Sequence, residues 1–390
     1  MAKKKVVKKK VVKSEPESAW IDAPSPIALS AVLGQDSAIE TLSRAMDSGR
    51  LHHAWIFHGP KGVGKFTAAL AWASVLLDPD AGADLTGRVS VDPDSETQKR
   101  IRAGTHPDLF IVRKELARFE EKATVRGAKL ATIPKDVVER HLIGPAKLAP
   151  VMSRRGEGGA RAGRVFIVDE AELLDRSPTN APVQNALLKT LEEPAPGNVI
   201  ILVTSSEDRL LATIRSRCQR VSFRALEHDA MRAWVGSSGV EATPEAHEWM
   251  MRFADGAPGR YAQAVEEGLY GWARVIEPML ARCARGEYVG ELGQTMADLI
   301  EERAKGWVKA GLARRENRSK ETANRDGAAL MLALVSQYAR PMLRNARSAA
   351  WAVHAIDMCE RAIMELRSNV SSRFVMDHLS AGLSEPAPAL

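Results

Sequence analysis

Five short apolar runs punctuate the first 224 residues: Ala54-Trp55-Ile56-Phe57, Leu109-Phe110-Ile111-Val112, Val165-Phe166-Ile167-Val168, Val199-Ile200-Ile201-Leu202-Val203 and Arg220-Val221-Ser222-Phe223. The first four are unbroken, as in strands buried on both faces, and helix-length segments lie between the runs. The pattern predicts an α/β domain built on a five-stranded parallel sheet. From residue 225 the strand signals stop. Helical periodicity takes over at Glu227–Val235, at Ala246–Phe253, from Arg260 onward, and in long stretches such as Trp351–Leu366. The expected division is a disordered tail and linker over 1–30, the α/β domain over 31–224 and a small helical domain over 225–285. A helical bundle over 286–382 and a frayed tail over 383–390 complete it.

Charge changes this picture only at one end. The chain of 390 residues carries a formal net charge of +6, but seven lysines (3, 4, 5, 8, 9, 10 and 13) crowd its first thirteen residues. Removing those seven from the 55 basic residues leaves 48 against 49 acidic ones, so the rest is close to neutral. The stretch Lys3–Lys13 is two copies of Lys-Lys-Lys-Val-Val followed by a lysine, with no apolar core of a secretory signal. It reads as a disordered basic arm, either solubilising or touching nucleic-acid phosphates. No apolar run approaches the roughly 20 residues that span a bilayer. Three cysteines, Cys218, Cys283 and Cys359, lie far apart and in no metal-ligand spacing. A reducing cytoplasm, no disulfide framework and no cysteine zinc site are the expectation.

The chemistry begins between the first strand and a helical pattern, at Gly59-Pro60-Lys61-Gly62-Val63-Gly64-Lys65. Strand, glycine loop, helix is the context of a phosphate-binding loop. Its glycines let backbone N–H groups turn around an anion, and Lys65 brings a point charge to the β/γ-phosphates. The next residue should be Ser or Thr, whose hydroxyl holds Mg²⁺, and it is Phe66. Thr67 comes one position late, rotated by about 100° on a helix. The loop is expected to hold a nucleotide yet to hydrolyse it poorly. Asp169-Glu170 ends the third strand, where a carboxylate can hold Mg²⁺ through water and its neighbour can orient a water. Thr204 and Ser205 end the fourth strand, as γ-phosphate contacts or as strand-end caps. Arg217 precedes the fifth strand, and Arg260 heads a helix of the next domain. Both suit phosphate oxygens, and both are also ordinary surface residue types. His52 and His53, beside an apolar strand, read as structural.

From about 31 to 265 the chain resembles the AAA+ clamp-loader subunits of bacterial DNA polymerase III, the delta-prime type above all. The residues that carry this are Val32-Leu33-Gly34-Gln35, His53-Ala54, the glycine loop, His106-Pro107-Asp108 and Asp169-Glu170-Ala171-Glu172. The most specific are Asn185-Ala186-Leu187-Leu188-Lys189-Thr190-Leu191-Glu192-Glu193-Pro194 and Thr213-Ile214-Arg215-Ser216-Arg217-Cys218. The resemblance implies an AAA+ P-loop module, a helical lid and a C-terminal collar. It implies sensor 1 at Thr204 and Ser205, an arginine finger at Arg217 acting on a neighbouring subunit, and sensor 2 at Arg260. The implied partners are gamma/tau and delta subunits in a hetero-pentamer, the sliding clamp and, through the complex, primed DNA, with no membrane. ATP and Mg²⁺ are the implied ligands, weakened here by Phe66. Many relatives carry a four-cysteine zinc module after the loop helix, and residues 78–105 hold no cysteine, so no zinc is expected. Two functions follow: a non-hydrolysing accessory subunit, or a self-sufficient AAA+ ATPase of the gamma/tau motor type.

Overall fold

A computed structural model describes residues 26–48, 51–83, 89–126, 132–152, 161–175, 180–313, 319–346, 348–368 and 370–385. The basic arm, most of the linker, the glycine-rich stretch Arg154–Gly159 and residues 386–390 lie outside the described residues. The organised chain starts slightly earlier than expected. Leu29 is buried in the short turn Leu29–Ala31, because its side chain finds the core.

The chain divides into two compact units. One comprises residues up to Pro60 together with Gly64–Arg224, and the other Lys61–Val63 with Ala225–Leu390. In the first unit the five apolar runs become β1 (Ala54–His58), β2 (Leu109–Val112), β3 (Arg164–Val168), β4 (Asn198–Thr204) and β5 (Gln219–Ser222). They form one sheet in the order β2-β3-β4-β1-β5, every neighbouring pair parallel. This is an AAA+-like P-loop fold, with the strand that feeds the glycine loop second from the edge. Central strands β1, β3 and β4 are buried almost throughout, which is why their sequences are unbroken apolar runs.

Alternate side chains of β1 serve opposite faces. Ala54 and Ile56 join an apolar cluster with Val112, Phe166, Ile200 and Leu187. Trp55 and Phe57 face the helix α1 (Lys65–Leu77), with the Trp55 and Trp72 rings 4.9 Å apart and edge-on. This helix is buried on nearly every side, so it lacks a polar stripe. The stretch 78–105, featureless as a pattern, contains helix α2 (Glu96–Arg102) and a two-stranded ribbon, Gly82–Ala83 with Val89–Ser90. Helix α3 (Pro182–Glu192) carries the Asn185–Glu192 motif and stops before Pro194. Gln35 of the first motif is buried and brackets Arg224: its amide donates to the Arg224 carbonyl at 2.8 Å and its oxygen accepts from the Arg224 N–H at 3.1 Å.

The second unit is helical. Helices α4 (His228–Ser237), α5 (Pro244–Ala254), α6 (Pro258–Glu266) and α7 (Leu269–Ala284) precede α8 (Leu292–Ala313), α9 (Lys320–Ala339), α10 (Ala349–Arg367) and α11 (Ser372–Leu383). The expected lid and bundle share one apolar cluster running from Leu226 to Leu383. Within this unit the Gly62 carbonyl accepts from the Gly259 N–H at 2.8 Å. Among the described residues no helix is long and apolar enough to cross a membrane.

Candidate functional site

The loop Gly59–Lys65 joins β1 to α1, so the sequence places Lys65 at the first turn of a buried helix. Gly64 is the N-cap, in the left-handed region at φ 95°. Lys65 is 6% exposed, and its ammonium donates to the carbonyls of Gly59 at 2.7 Å and Pro60 at 2.6 Å. Pro60 and Lys61 are exposed, Val63 is buried and Thr67 is half-buried. A loop of this type can hold phosphate at a helix N-terminus, with Lys65 as its cation.

Beside it, the residues expected to serve a metal are already engaged. Parallel pairing of β2 with β3 matches Val112 to Val168, so the two residues that follow each strand run side by side. Arg113 thereby meets Asp169, Nη2 to Oδ2 at 3.0 Å. Lys114 meets Glu170, Nζ to Oε2 at 2.7 Å. The Arg113 guanidinium also lies 4.1 Å from the centroid of the Phe66 ring, a cation–π contact. Burial raises the Asp169 carboxyl above its ordinary value, and the Arg113 charge pulls it back only in part. Glu170 adopts a left-handed backbone, φ 51°, which turns its side chain out of strand geometry, and its N–H donates to Asp169 Oδ1 at 3.1 Å. Arg113, Lys114, Asp169 and Glu170 line a cavity of about 220 Å³ with Glu115, Ile133 and Leu173.

This donor set does not fit Mg²⁺. The loop position that supplies a hydroxyl in P-loop nucleotidases is a phenyl ring, and the carboxylate that completes the cage holds a guanidinium. Among the described residues no group of three or more His, Cys, Asp or Glu side chains is arranged to hold a metal ion.

Of the remaining candidates, Thr204 ends β4 in register with His58, the residue before the glycine loop. Thr204 is buried and its Oγ1 accepts from the Ser206 N–H at 3.1 Å, a strand-end cap. Ser205 donates its hydroxyl to Glu172, which is 8% exposed. Arg217 follows the short helix Ala212–Arg215 with 37% of its side chain exposed. Its Nη2 pairs with Glu192 at 2.8 Å, at the end of α3, and its Nη1 donates to the Thr213 carbonyl at 2.9 Å. The two most distinctive sequence motifs therefore meet at this arginine. Arg260, in α6, stacks its guanidinium 4.9 Å from the Phe253 ring, and burial lowers its pKa. His53 donates Nε2–H to the Leu191 carbonyl at 2.8 Å, a structural bond between β1 and α3.

Arg113, Lys114 and the anchoring role of Glu172 were missed in the sequence. The available signal was a basic pair, Arg113-Lys114, directly after one apolar run and an acidic pair, Asp169-Glu170, directly after the next. Adjacent parallel strands put such pairs in register.

Known proteins resemble part of the chain. Residues 34–227 match the family described as DNA polymerase III, delta subunit. The delta' subunit of DNA polymerase III from Pseudomonas aeruginosa is 28% identical over 207 residues, 53% of this chain and 53% of that protein. The delta' subunit from Bacillus subtilis is 28% identical over 232 residues, 60% of this chain and 58% of that protein. The gamma/tau subunit from Mycobacterium tuberculosis is 30% identical over 252 residues, 64% of this chain and 38% of that protein. The chain thus spans little more than half the length of these delta' relatives, and less of the gamma/tau one.

Proposed function

Residues 34–227 make this chain a relative of the clamp-loader subunits of DNA polymerase III, and from that premise we propose a delta-prime-like accessory subunit. In this reading it assembles with gamma/tau and delta subunits in a cytoplasmic hetero-pentamer that loads the sliding clamp onto primed DNA. It lends Arg217 to the ATP site of a neighbouring motor subunit and is itself a weak or non-hydrolysing nucleotide binder. The observation that carries the reading is the pairing of Asp169 and Glu170 with Arg113 and Lys114 beside Phe66, since a water-activating acid held by a lysine is a poor base. Arg217 suits the role by its exposure, and its Glu192 pair and its bond to the Thr213 carbonyl have to open for its planar fork to reach a neighbour's phosphate.

A second reading is a self-sufficient AAA+ ATPase of the gamma/tau type. The identity to a gamma/tau subunit, 30% over 252 residues against 28% for the two delta' subunits, favours it. Steady-state ATPase of the reconstituted complex, with clamp and primed DNA, separates the two. On the accessory reading Arg217→Ala lowers turnover while leaving assembly intact. Removing a supplied arginine costs about 10³- to 10⁵-fold at the site it serves, and the whole complex shows a partial loss because other sites continue. Lys65→Ala has a much smaller effect. If Lys65→Ala abolishes turnover and Arg217→Ala is silent, the chain is a motor in its own right.

A further inference from the structure

P-loop nucleotidases hold Mg²⁺ between two protein groups, the hydroxyl after the loop lysine and the carboxylate at the end of a neighbouring strand. In this chain those positions are Phe66 and Asp169, and one side chain touches both. The Arg113 guanidinium lies 4.1 Å from the Phe66 ring centroid and 3.0 Å from Asp169 Oδ2, with a side-chain exposure of 19%. We propose that Arg113 stands in for the divalent ion, so that the loop takes its nucleoside triphosphate in metal-free form. The inference rests on reading Gly59–Lys65 as a nucleotide site and is independent of the role given to Arg217.

Three features make the replacement chemically coherent. A phenyl ring cannot coordinate Mg²⁺ but presents its face to a guanidinium, so Phe66 favours the cation that is there over the one that is absent. Arginine stays charged at every physiological pH and carries planar N–H donors matched to phosphate oxygens, so it neutralises polyphosphate without a metal. Lys114, bonded to Glu170, adds a second fixed positive charge, and a divalent ion entering the same space would have to displace a cation already paired with each of the two carboxylates. Together with Lys65 the chain provides positive charge of its own where metal-dependent relatives would borrow it.

The test is ATP binding to the full-length isolated chain, followed by calorimetry in EDTA and again in excess Mg²⁺. The expected result is binding in EDTA that Mg²⁺ changes by less than about threefold, well under 1 kcal/mol. Arg113→Ala should weaken the EDTA binding by about tenfold or more, the loss of one charge-assisted contact. Arg113→Lys should keep part of it, and the circular dichroism of each variant shows whether it is folded. The double substitution Phe66→Thr with Arg113→Ala should make binding depend on Mg²⁺. Binding by the unaltered chain that Mg²⁺ strengthens tenfold or more overturns the inference, and so does absence of ATP binding in both buffers. Either result would bear only on what the accessory reading says of this chain's own loop; the role in trans is tested separately, by Arg217 in the assembled complex.

Discussion

At the scale of single residues, Asp108 does more than its place in a short motif suggests. It is fully buried, and its carboxylate accepts from the backbone N–H groups of Val151 and Met152 and from Arg164 Nε and Nη2, the last at 3.0 Å. Arg164, 3% exposed, spends its other donors on the carbonyls of Pro145, Leu148 and Ala149. One ion pair thus ties β2 and β3 to the turn between them. Asp108→Ala would leave a buried guanidinium and two amides without their acceptor, and should cost about 3–5 kcal/mol. Asp108→Asn should recover little, because its amide nitrogen would face donors. Replacing both partners with apolar residues should not restore stability either, since the three carbonyls that Arg164 satisfies would be stranded. Urea denaturation of the three variants checks this, and a near-wild-type double variant would refute it. The site divides the same way between what sequence shows and what it hides. The glycine loop, Asp169-Glu170 and Arg217 stand out in the sequence because each proposed role needs a residue type at a set spacing within one segment. Arg113 and Lys114 were not, because their role depends on which strand lies next to β3, and strand order is not written in any local pattern.

At the scale of elements, the loop after β1 shows why two glycines of one motif are not equivalent. Gly59 has φ 140°, and a Cβ built there would lie 2.1 Å from the Phe223 carbonyl oxygen. It sits where β1 hands over to β5, with the Phe223 N–H donating to the His58 carbonyl at 2.8 Å. Gly64 has φ 95° with nothing within 4 Å of such a Cβ, so its requirement is conformational only. Gly59→Ala should therefore push β1 from β5 and cost about 2–4 kcal/mol, strain and overpacking together. Gly64→Ala should cost about 1 kcal/mol of strain. Denaturant midpoints of the two variants should fall in that order, and equal losses would mean that the contact with Phe223 is relieved without cost. Strands β1, β3 and β4 were legible because central parallel strands must be apolar on both faces, whereas the edge strand β5, mostly exposed, gave only a mixed run. Helix α2 was not, because it docks through polar atoms. Gln98 donates to the Ser74 carbonyl and to Asp78 at 3.0 and 2.9 Å, and Ser95, its N-cap, donates to Asp78 at 2.8 Å. A helix held by buried hydrogen bonds leaves no apolar stripe to read.

At the scale of the whole molecule, the excess positive charge lies in one segment, so any nonspecific polyanion binding is expected there. The chain carries 55 basic and 49 acidic residues and a sequence pI of about 9.2, yet seven lysines fall within residues 1–13. Beyond that segment the balance is 48 to 49, so the rest of the chain presents no net charge to attract a polyanion at neutral pH. Duplex DNA binding by the isolated full-length chain should then be sequence-independent and steeply weakened by salt. The logarithmic slope is about 0.9 per phosphate neutralised, so seven lysines can contribute at most about 6. Deleting residues 1–13 should abolish retention on heparin and binding to duplex DNA at low salt, while leaving the circular dichroism of the remainder unchanged. Scrambling the order of lysines and valines within the segment should change neither, because screened charge rather than a recognised pattern supplies the attraction. DNA binding that survives the deletion at comparable strength would place the basic surface on the folded units instead.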